Sequence, residues 1–600
     1  MRNVAWVFAL GIGALGCGRK GDVACMPRPV VAVPSPAFTN VSMPSGITAN
    51  NFVVSPPKAI PINDHSRLAF ADLDGDGWDD IVMHSLYPDP QAGIPFSHLV
   101  FMNNHDGTFR DASVASGLAD VQAGFFLFGD VDNDGDEDCF AGLDIPLDNL
   151  GNAIYLNDGA GHFALKKDDS FAFTLSNTYT GNAVFADFNR DGKLDLYLGN
   201  GQTGDAVADA YYIGNGDGSF VDASVLLVSP NPKRPSNGTV VCDYDNDGDL
   251  DIFVSTYGVS IDNGHNVLWE NDGTGSFNNV AEARGFAALA TGNYWLASTG
   301  MGLLPEPGAD ASTYIGSNGF GIDCTDVNGD GLPDIYLATI SHPDGAGAGA
   351  GEPYDRTWSD PSQLLINQGA AGMFGFSNEF LARKLPFNEG DIDAATVDFD
   401  NDGLVDLSVT RDNKYEGGYT TDEQKGWLGL FHQLADGSFE SIATSAGIND
   451  PADTAKLPAV KAGQNLAWSD IDHDGDFDLL VGGRDHGGGR ANYLFRNEVG
   501  SQNGWIALRL RGDGINVNRD AIGARVTLTS GTTTIMREVK SSRGTYNSAD
   551  MRTVLLGTGS LCDYTIEIRW PDGKLDTFPS KKLTEQAYQT IDYTAGIVKE

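Results

Sequence analysis

Seven nine-residue stretches of this 600-residue chain place oxygen-bearing side chains at positions one, three, five and nine, with Gly at six. They are Asp72, Asp74, Asp76, Asp80; Asp130, Asp132, Asp134, Asp138; Asp187, Asn189, Asp191, Asp195; and Asp243, Asp245, Asp247, Asp251. The later three are Asp326, Asn328, Asp330, Asp334; Asp398, Asp400, Asp402, Asp406; and Asp470, Asp472, Asp474, Asp478. Alternate spacing throws three short side chains to one side of a tight turn, and Gly77 and its six equivalents permit the bend. The carbonyl of position seven and the Asp at nine complete an oxygen cage. Hard oxygen donors in a flexible loop select calcium over magnesium, so the pattern predicts up to seven calcium ions. Asn189 and Asn328 each remove one charge, which makes the third and fifth sites the weaker ones.

The EF-hand shares the first half of this pattern but needs a bidentate Glu at position twelve between two helices. Position twelve here is Met83, Ala141, Leu198, Val254, Leu337, Val409 or Val481, none of which can bind the ion. Short β-type runs flank the loops, such as Asn182–Ala186 before and Leu196–Leu198 after, so each loop is the tip of a hairpin. Asp, Asn and Gly also populate ordinary solvated turns. Four ligand-type groups at one spacing, seven times over, go beyond what turn formation requires.

The loops belong to a larger unit. An apolar run ending in Asn follows each hairpin in most copies, as at Leu99–Asn104, Ile154–Asn157, Val267–Asn271, Leu364–Asn367 and Tyr493–Asn497. A Gly-Ser/Thr-Phe strand then ends the unit, at Phe109, Phe220, Phe277 and Phe439. Four short antiparallel strands per unit, seven times, predict an all-β chain: a seven-bladed β-propeller followed by a small C-terminal β domain. The seventh unit lacks its last strand, and an orphan, Phe38–Ile47, matches the outer-strand segments Phe109–Leu118 and Phe439–Ile448. The N-terminal strand is therefore expected to complete the seventh blade and close the ring. The acidic loops share one face. The long insertions, at Phe286–Gly319, Ser341–Gln363, Arg411–Trp427, Asn449–Gly463 and Gly482–Asn492, fall on the other and carry Tyr294, Trp295, Tyr354, Trp358, Tyr415 and Tyr419. Long loops on one face of a rigid ring are a usual place for binding, although these rings can equally pack their own loops.

The formal net charge is −44, and seven dications would return 14 charges. A surface still near −30 repels nucleic acid and anionic lipid. From Gly500 onward there are 13 Lys/Arg against 11 Asp/Glu, so the repeat region holds the deficit. The apolar stretch Val4–Leu15 suits a signal peptide over residues 1–16, and Ala14-Leu-Gly-Cys17 resembles a bacterial lipobox with Cys17 as the lipidated residue. These features predict an exported protein, lipid-anchored in the outer membrane or at the cell surface, or else secreted, with membrane contact only through the anchor. Residues 17–36 read as a linker. Cys139, Cys242 and Cys324 sit on or beside strands, where buried free thiols are favoured over disulfides.

The units resemble the FG-GAP/VCBS calcium repeats of integrin α-chain propellers and of bacterial surface proteins. The tail, Asn518–Val526 followed by Arg569-Trp-Pro-Asp-Gly573, resembles the ASPIC/UnbV domain. Together they resemble the cartilage acidic protein family over residues 37–595, with the propeller at 37–499 and the tail domain at 500–600. The lipobox departs from the animal members and points to a bacterial one. The resemblance implies calcium-dependent surface interaction or adhesion, with a protein or glycan as ligand and no catalysis. The alternative is a carbohydrate-active propeller enzyme, a polysaccharide lyase or hydrolase, acting from the insertion face. No HExxH, GxSxG or phosphate-loop motif supports it, and only His342, His486, Arg484 and Arg490 lie in the insertions as faint catalytic candidates. Arg511-Gly-Asp513 spells an integrin-recognition tripeptide, which a β-turn also produces by chance.

Overall fold

The structure, a computed structural model, describes residues 29–47, 67–86, 97–143, 151–166, 180–201, 207–231 with 233, 235–256, 265–287, 319–339, 362–386, 390–411, 428–449, 463–483 and 492–598. The signal segment, Cys17, the insertion aromatics and the faint catalytic candidates lie outside these residues, as does most of the linker. Among the described residues, α-helix is confined to the single turn Ala281–Arg284, and no helix is long and apolar enough to cross a membrane.

Among the described residues, seven four-stranded antiparallel sheets precede residue 498. In the second sheet the strands are Phe125–Gly129, Asp138–Gly142, Ala153–Asn157 and Phe163–Leu165, in spatial order as in sequence. Their burial falls from inside to outside. Every residue of the first two strands is buried, whereas only Phe163 of the last one is. That profile explains the repeat's composition. Continuous apolar runs form strands covered on both faces, and the outer Gly-x-Phe strand needs one large ring as an anchor. First strands of neighbouring sheets touch in cyclic order, and the last, Gly463–Ser469, touches the first, Leu68–Ala71. The core is correspondingly divided into layers between blades. One layer joins Val327, Tyr336 and Ile366 of the fifth blade to Leu407, Phe431 and Phe439 of the sixth. Another closes the ring between Leu480 and Leu494 of the seventh and Phe70 and Phe101 of the first.

The seventh sheet takes its fourth strand from the N-terminal side. Phe38–Asn40 pairs antiparallel with the strand Asn492–Asn497, in the register Phe38↔Asn497. Phe38 is buried against Phe399 and Trp468, so the clasp reaches into the sixth blade as well.

The tail forms two further four-stranded sheets, one around Gly504–Arg511 and one around Arg525–Ser530. Between them, Ser541–Asp550 runs down the centre of the ring. Thr545 bridges Gly238 of the fourth blade and Ala549 bridges Ala69 of the first. The Asn547 side chain accepts the Ala183 N–H of the third, and Arg543 donates to the Ala394 and Leu466 carbonyls of the sixth and seventh. First strands of blades three to seven carry register shifts at this end, such as Ser236/Gly238 and Gly463/Asn465. Bulges leave backbone groups without a ladder partner, and the inserted segment satisfies several of them.

Two cysteines differ from expectation. Cys242 and Cys324 form a disulfide with Cα atoms 6.7 Å apart, whereas Cys139 is a buried free thiol as anticipated. The two residues lie at the last or next-to-last position of neighbouring first strands, in blades four and five, and this adjacency exists only once the ring is formed. Cys562 is disulfide-bonded too.

Candidate metal centres

Each acidic loop joins the first two strands of its blade and has the same internal wiring. The position-one Asp accepts the Gly N–H through Oδ2 at 2.8–3.1 Å in all seven, from Asp72 with Gly77 to Asp470 with Gly475. Each of these glycines has positive φ, between 81° and 109°. The position-five carboxylates, Asp76, Asp134, Asp191, Asp247, Asp330, Asp402 and Asp474, each accept the position-seven N–H through Oδ1 at 2.7–3.2 Å. At position three, Asp132, Asn189, Asp245, Asn328 and Asp400 accept the N–H of position five through Oδ1. The turn is therefore built by the same groups whose spacing marks them as ligands.

Position nine carries a second task. Asp80, Asp138, Asp195, Asp251, Asp334, Asp406 and Asp478 are buried, and Oδ1 of each accepts a backbone N–H from the end of the third strand at 2.7–2.9 Å. In six of the seven, that third-strand residue is Asn or Gln, and its amide donates across the blade boundary to the position-two carbonyl of the preceding loop. Asn103 reaches Ile471 O, Asn157 reaches Leu73 O and Asn271 reaches Phe188 O; Asn367, Gln433 and Asn497 reach Tyr244, Val327 and Phe399 O, all at 2.7–3.0 Å. The third blade has Gly214 there, and Gly218 N–H supplies the bond to Val131 O. The terminal Asn was visible in the sequence, but its role as an inter-blade clamp was not.

Several carboxylate oxygens remain for a cation. Asp72 Oδ1, Asp74 Oδ1, Asp243 Oδ1, Asp251 Oδ2, Asp398 Oδ1 and Asp472 Oδ1 are buried and have no hydrogen-bond partner. In several loops the acids bring ligand atoms within 4.8 Å of one another, among them Asp72, Asp74 and Asp76; Asp130, Asp132 and Asp138; and Asp243, Asp245 and Asp251. Burial first, and neighbouring carboxylates after it, push Asp72 and Asp187 up to about 7. The same causes push Asp80, Asp130, Asp138 and Asp195 up to about 8. Asp326 and Asp474 rise to about 6, and Asp334, Asp406, Asp470 and Asp478 also lie above their ordinary value, burial being the main cause in each. Crowded buried carboxylates without donors are the groups a hard dication satisfies, so the donor set fits calcium.

The tail covers this face and touches all seven loops. Arg509 donates to Gly77 O at 2.5 Å, Asp520 accepts the Asp130 N–H at 2.8 Å, and Ile515 fills the space a Cβ on Gly192 would need. Arg569 pairs with Asp243, whose carbonyl also accepts from Arg525. Thr534 lies against Gly329, Gly559 N–H donates to Asn401 O at 3.0 Å, and Tyr588 Oη donates to Asp470 at 2.6 Å. His105, Trp78, His473 and Tyr588 stack in turn, linking the first and seventh loops to the tail. Asp520, Arg525 and Arg569 belong to the tail's two motifs, which are docking residues in this fold. The Arg-Gly-Asp tripeptide is engaged internally, since Arg511 pairs with Asp592 and Asp513 caps Ile515, Asn516 and Val517.

A ring of four-stranded sheets with acidic hairpin loops, capped by a second β unit, defines a repeat-built β-propeller. Residues 514–596 match the ASPIC and UnbV family, and residues 130–198 and 200–254 match the FG-GAP-like repeat. The chain is similar to cartilage acidic protein 1 of Homo sapiens, 23% identical over 297 residues, 42% of this chain and 40% of that protein. It is likewise similar to cartilage acidic protein 1 of Xenopus tropicalis, 22% identical over 481 residues, 75% of this chain and 61% of that protein. The chain thus spans less than two thirds of the length of either relative. Among solved structures, exotype rhamnogalacturonan lyase YesX aligns at TM-score 0.35 and 11% identity over 77% of this chain and 76% of that one. The Bacillus licheniformis rhamnogalacturonan lyase PL11 aligns at 0.34 and 12%, also over 77% and 76%. Both likenesses are too distant to bear on activity.

Proposed function

We propose that this protein is an exported, calcium-stabilised propeller that binds another protein or a glycan through the face opposite its acidic loops, without catalysis. One observation carries the reading: the tail occupies the acidic-loop face and the centre of the ring. Among the described residues, the tail's two sheets leave uncovered the rim of the opposite strand ends, from which the long second-to-third and blade-to-blade connections depart. The four Asp or Asn side chains of each loop would hold the ion, the Asn-bearing loops with one charge fewer. The similarity to cartilage acidic protein 1 supports an interaction role. Cys17 lipidation would tether the protein at an outer surface, where calcium near millimolar suits such sites.

Thermal unfolding of the full exported chain across calcium concentrations, with EGTA and magnesium controls, tests the reading. A ligand at tenfold its Kd stabilises by about 1.4 kcal/mol per site, and by about 10 kcal/mol if seven sites are lost together. A steep, calcium-selective rise in Tm is expected; a flat response from protein verified metal-free would sink the calcium assignment. Binding is then screened in calcium against glycans and surface proteins, with substitutions in the insertions expected to abolish it and substitutions on the tail's outer surface expected to leave it intact.

A further inference from the structure

The sixth loop has a histidine on its third strand, 18% exposed, whereas the histidine that meets the first loop, His105 at 2.6 Å from Asp76 Oδ2, comes from the outer turn and is 47% exposed. His432 stands on the third strand, Gly429–Gln433, one residue before the clamp, and its imidazole points at the loop of its own blade. Its Nε2 lies 3.2 Å from Asp400 Oδ2 and 3.8 Å from Asp402 Oδ2, and these three side chains offer ligand atoms within 4.8 Å of one another. Met102, Leu156, Ile213, Glu270, Ile366 and Arg496 hold the same place in the other blades, and none supplies a nitrogen ligand. Asp398 is 1% exposed, its Oδ2 is taken by the Gly403 N–H, and its Oδ1 has no partner. Asp400 is buried, whereas its position-three counterparts are half-buried or exposed.

We propose that Asp398, Asp400, Asp402 and His432 form a mixed nitrogen–oxygen site for a first-row transition-metal dication of the zinc class. The proposal rests on the reading of the loops as cation sites and changes the ion assigned to one of them. Calcium takes oxygen ligands and gains little from imidazole, whereas imidazole with two or three carboxylates suits zinc and its neighbours. Burial of Asp398 and Asp400 favours the smaller ion, because fewer waters remain to complete a shell of 6–8 oxygens. Calcium is left to the other six loops, whose own side chains at positions one, three, five and nine are all Asp or Asn.

The test is cobalt titration of the full chain, stripped by chelation and refilled with millimolar calcium, followed by visible absorption and competed with zinc. One equivalent of cobalt is expected to bind with ligand-field bands and to be displaced by zinc. His432→Gln should weaken zinc binding by more than about 10-fold, the lower end of the cost of losing even an outer-shell partner. Asp400→Asn should act in the same direction, and His162→Gln, at an exposed histidine of the second blade paired with Asp158, should leave cobalt binding unchanged. Unaltered zinc affinity in His432→Gln would overturn the proposal, as would displacement of cobalt by millimolar calcium. Tighter dication binding in His432→Gln would also overturn it, showing the imidazolium to be a built-in counter-ion. A calcium-dependent rise in Tm, retained in His432→Gln, reports separately on the other six loops.

Discussion

Asp80 and its six counterparts at position nine join the metal question to the mechanical one. One oxygen accepts from the third strand, and the amide beside it ties the blade to its neighbour. Asn157→Ala would leave Leu73 O and Glu137 O without a donor in a buried site. The expected loss is about 1–3 kcal/mol in urea unfolding. Gly214→Asn should not restore the missing clamp in blade three, because a Cβ there would stand 2.0 Å from Leu194 O. The loop acids also set the response to pH. Burial, reinforced by neighbouring carboxylates, raises Asp72, Asp80, Asp130, Asp138, Asp187 and Asp195 from 3.8 to about 7 or 8 in the fold. A raised carboxylate pKa stabilises the fold below the unfolded value and withdraws that stability as pH climbs through the folded one. In EGTA, Tm should therefore fall between about pH 4 and pH 8, and millimolar calcium should abolish the fall. A pH-independent Tm in EGTA would refute this.

At the scale of elements, the tail's strands are fitted to the glycines of the loops. Gly475 has φ +96° and a Cβ there would lie 1.8 Å from Trp505 Cε2, whereas Gly573 has φ +87° and nothing within 4 Å. Gly475→Ala should cost more than Gly573→Ala, by more than about 1 kcal/mol, because both pay the backbone strain and only one adds a clash. Faster proteolysis near residues 498–504 in the first variant alone would report the tail lifting. The blades themselves were legible in the sequence because their signals are local: a nine-residue loop, an apolar run, a Gly-x-Phe strand. The orphan Phe38 segment was legible for the same reason, as a repeat lacking its unit. Docking of the tail was not, since Arg509, Asp520 and Tyr588 meet their partners 118 to 432 residues away with no shared period. The clamp Asn was seen as a strand ending, but its acceptor lies in another blade.

For the whole molecule, the Cys242–Cys324 bridge closes a sequence separation of 82 residues across two blades. Cys242→Ala/Cys324→Ala should lose about 4 kcal/mol by the chain-entropy argument, seen as a lower denaturation midpoint under oxidising conditions and no difference from wild type under reducing ones. Spacing alone could not reveal this pair, because the seven-fold ring decides which first strands are neighbours. The near-neutral tail, seated on loops that hold 31 of the 82 Asp and Glu, makes the acidic-loop face an internal interface.

Phe38–Asn40 is the first described strand and its partner, Asn492–Asn497, the last one before the tail. A ribosome working at about 5–20 residues per second needs roughly 20–90 s to make the chain between them. Throughout that interval the ring has an open seam, and the segment that fills its centre has not been made. The nascent protein thus stays threadable until its final blade appears.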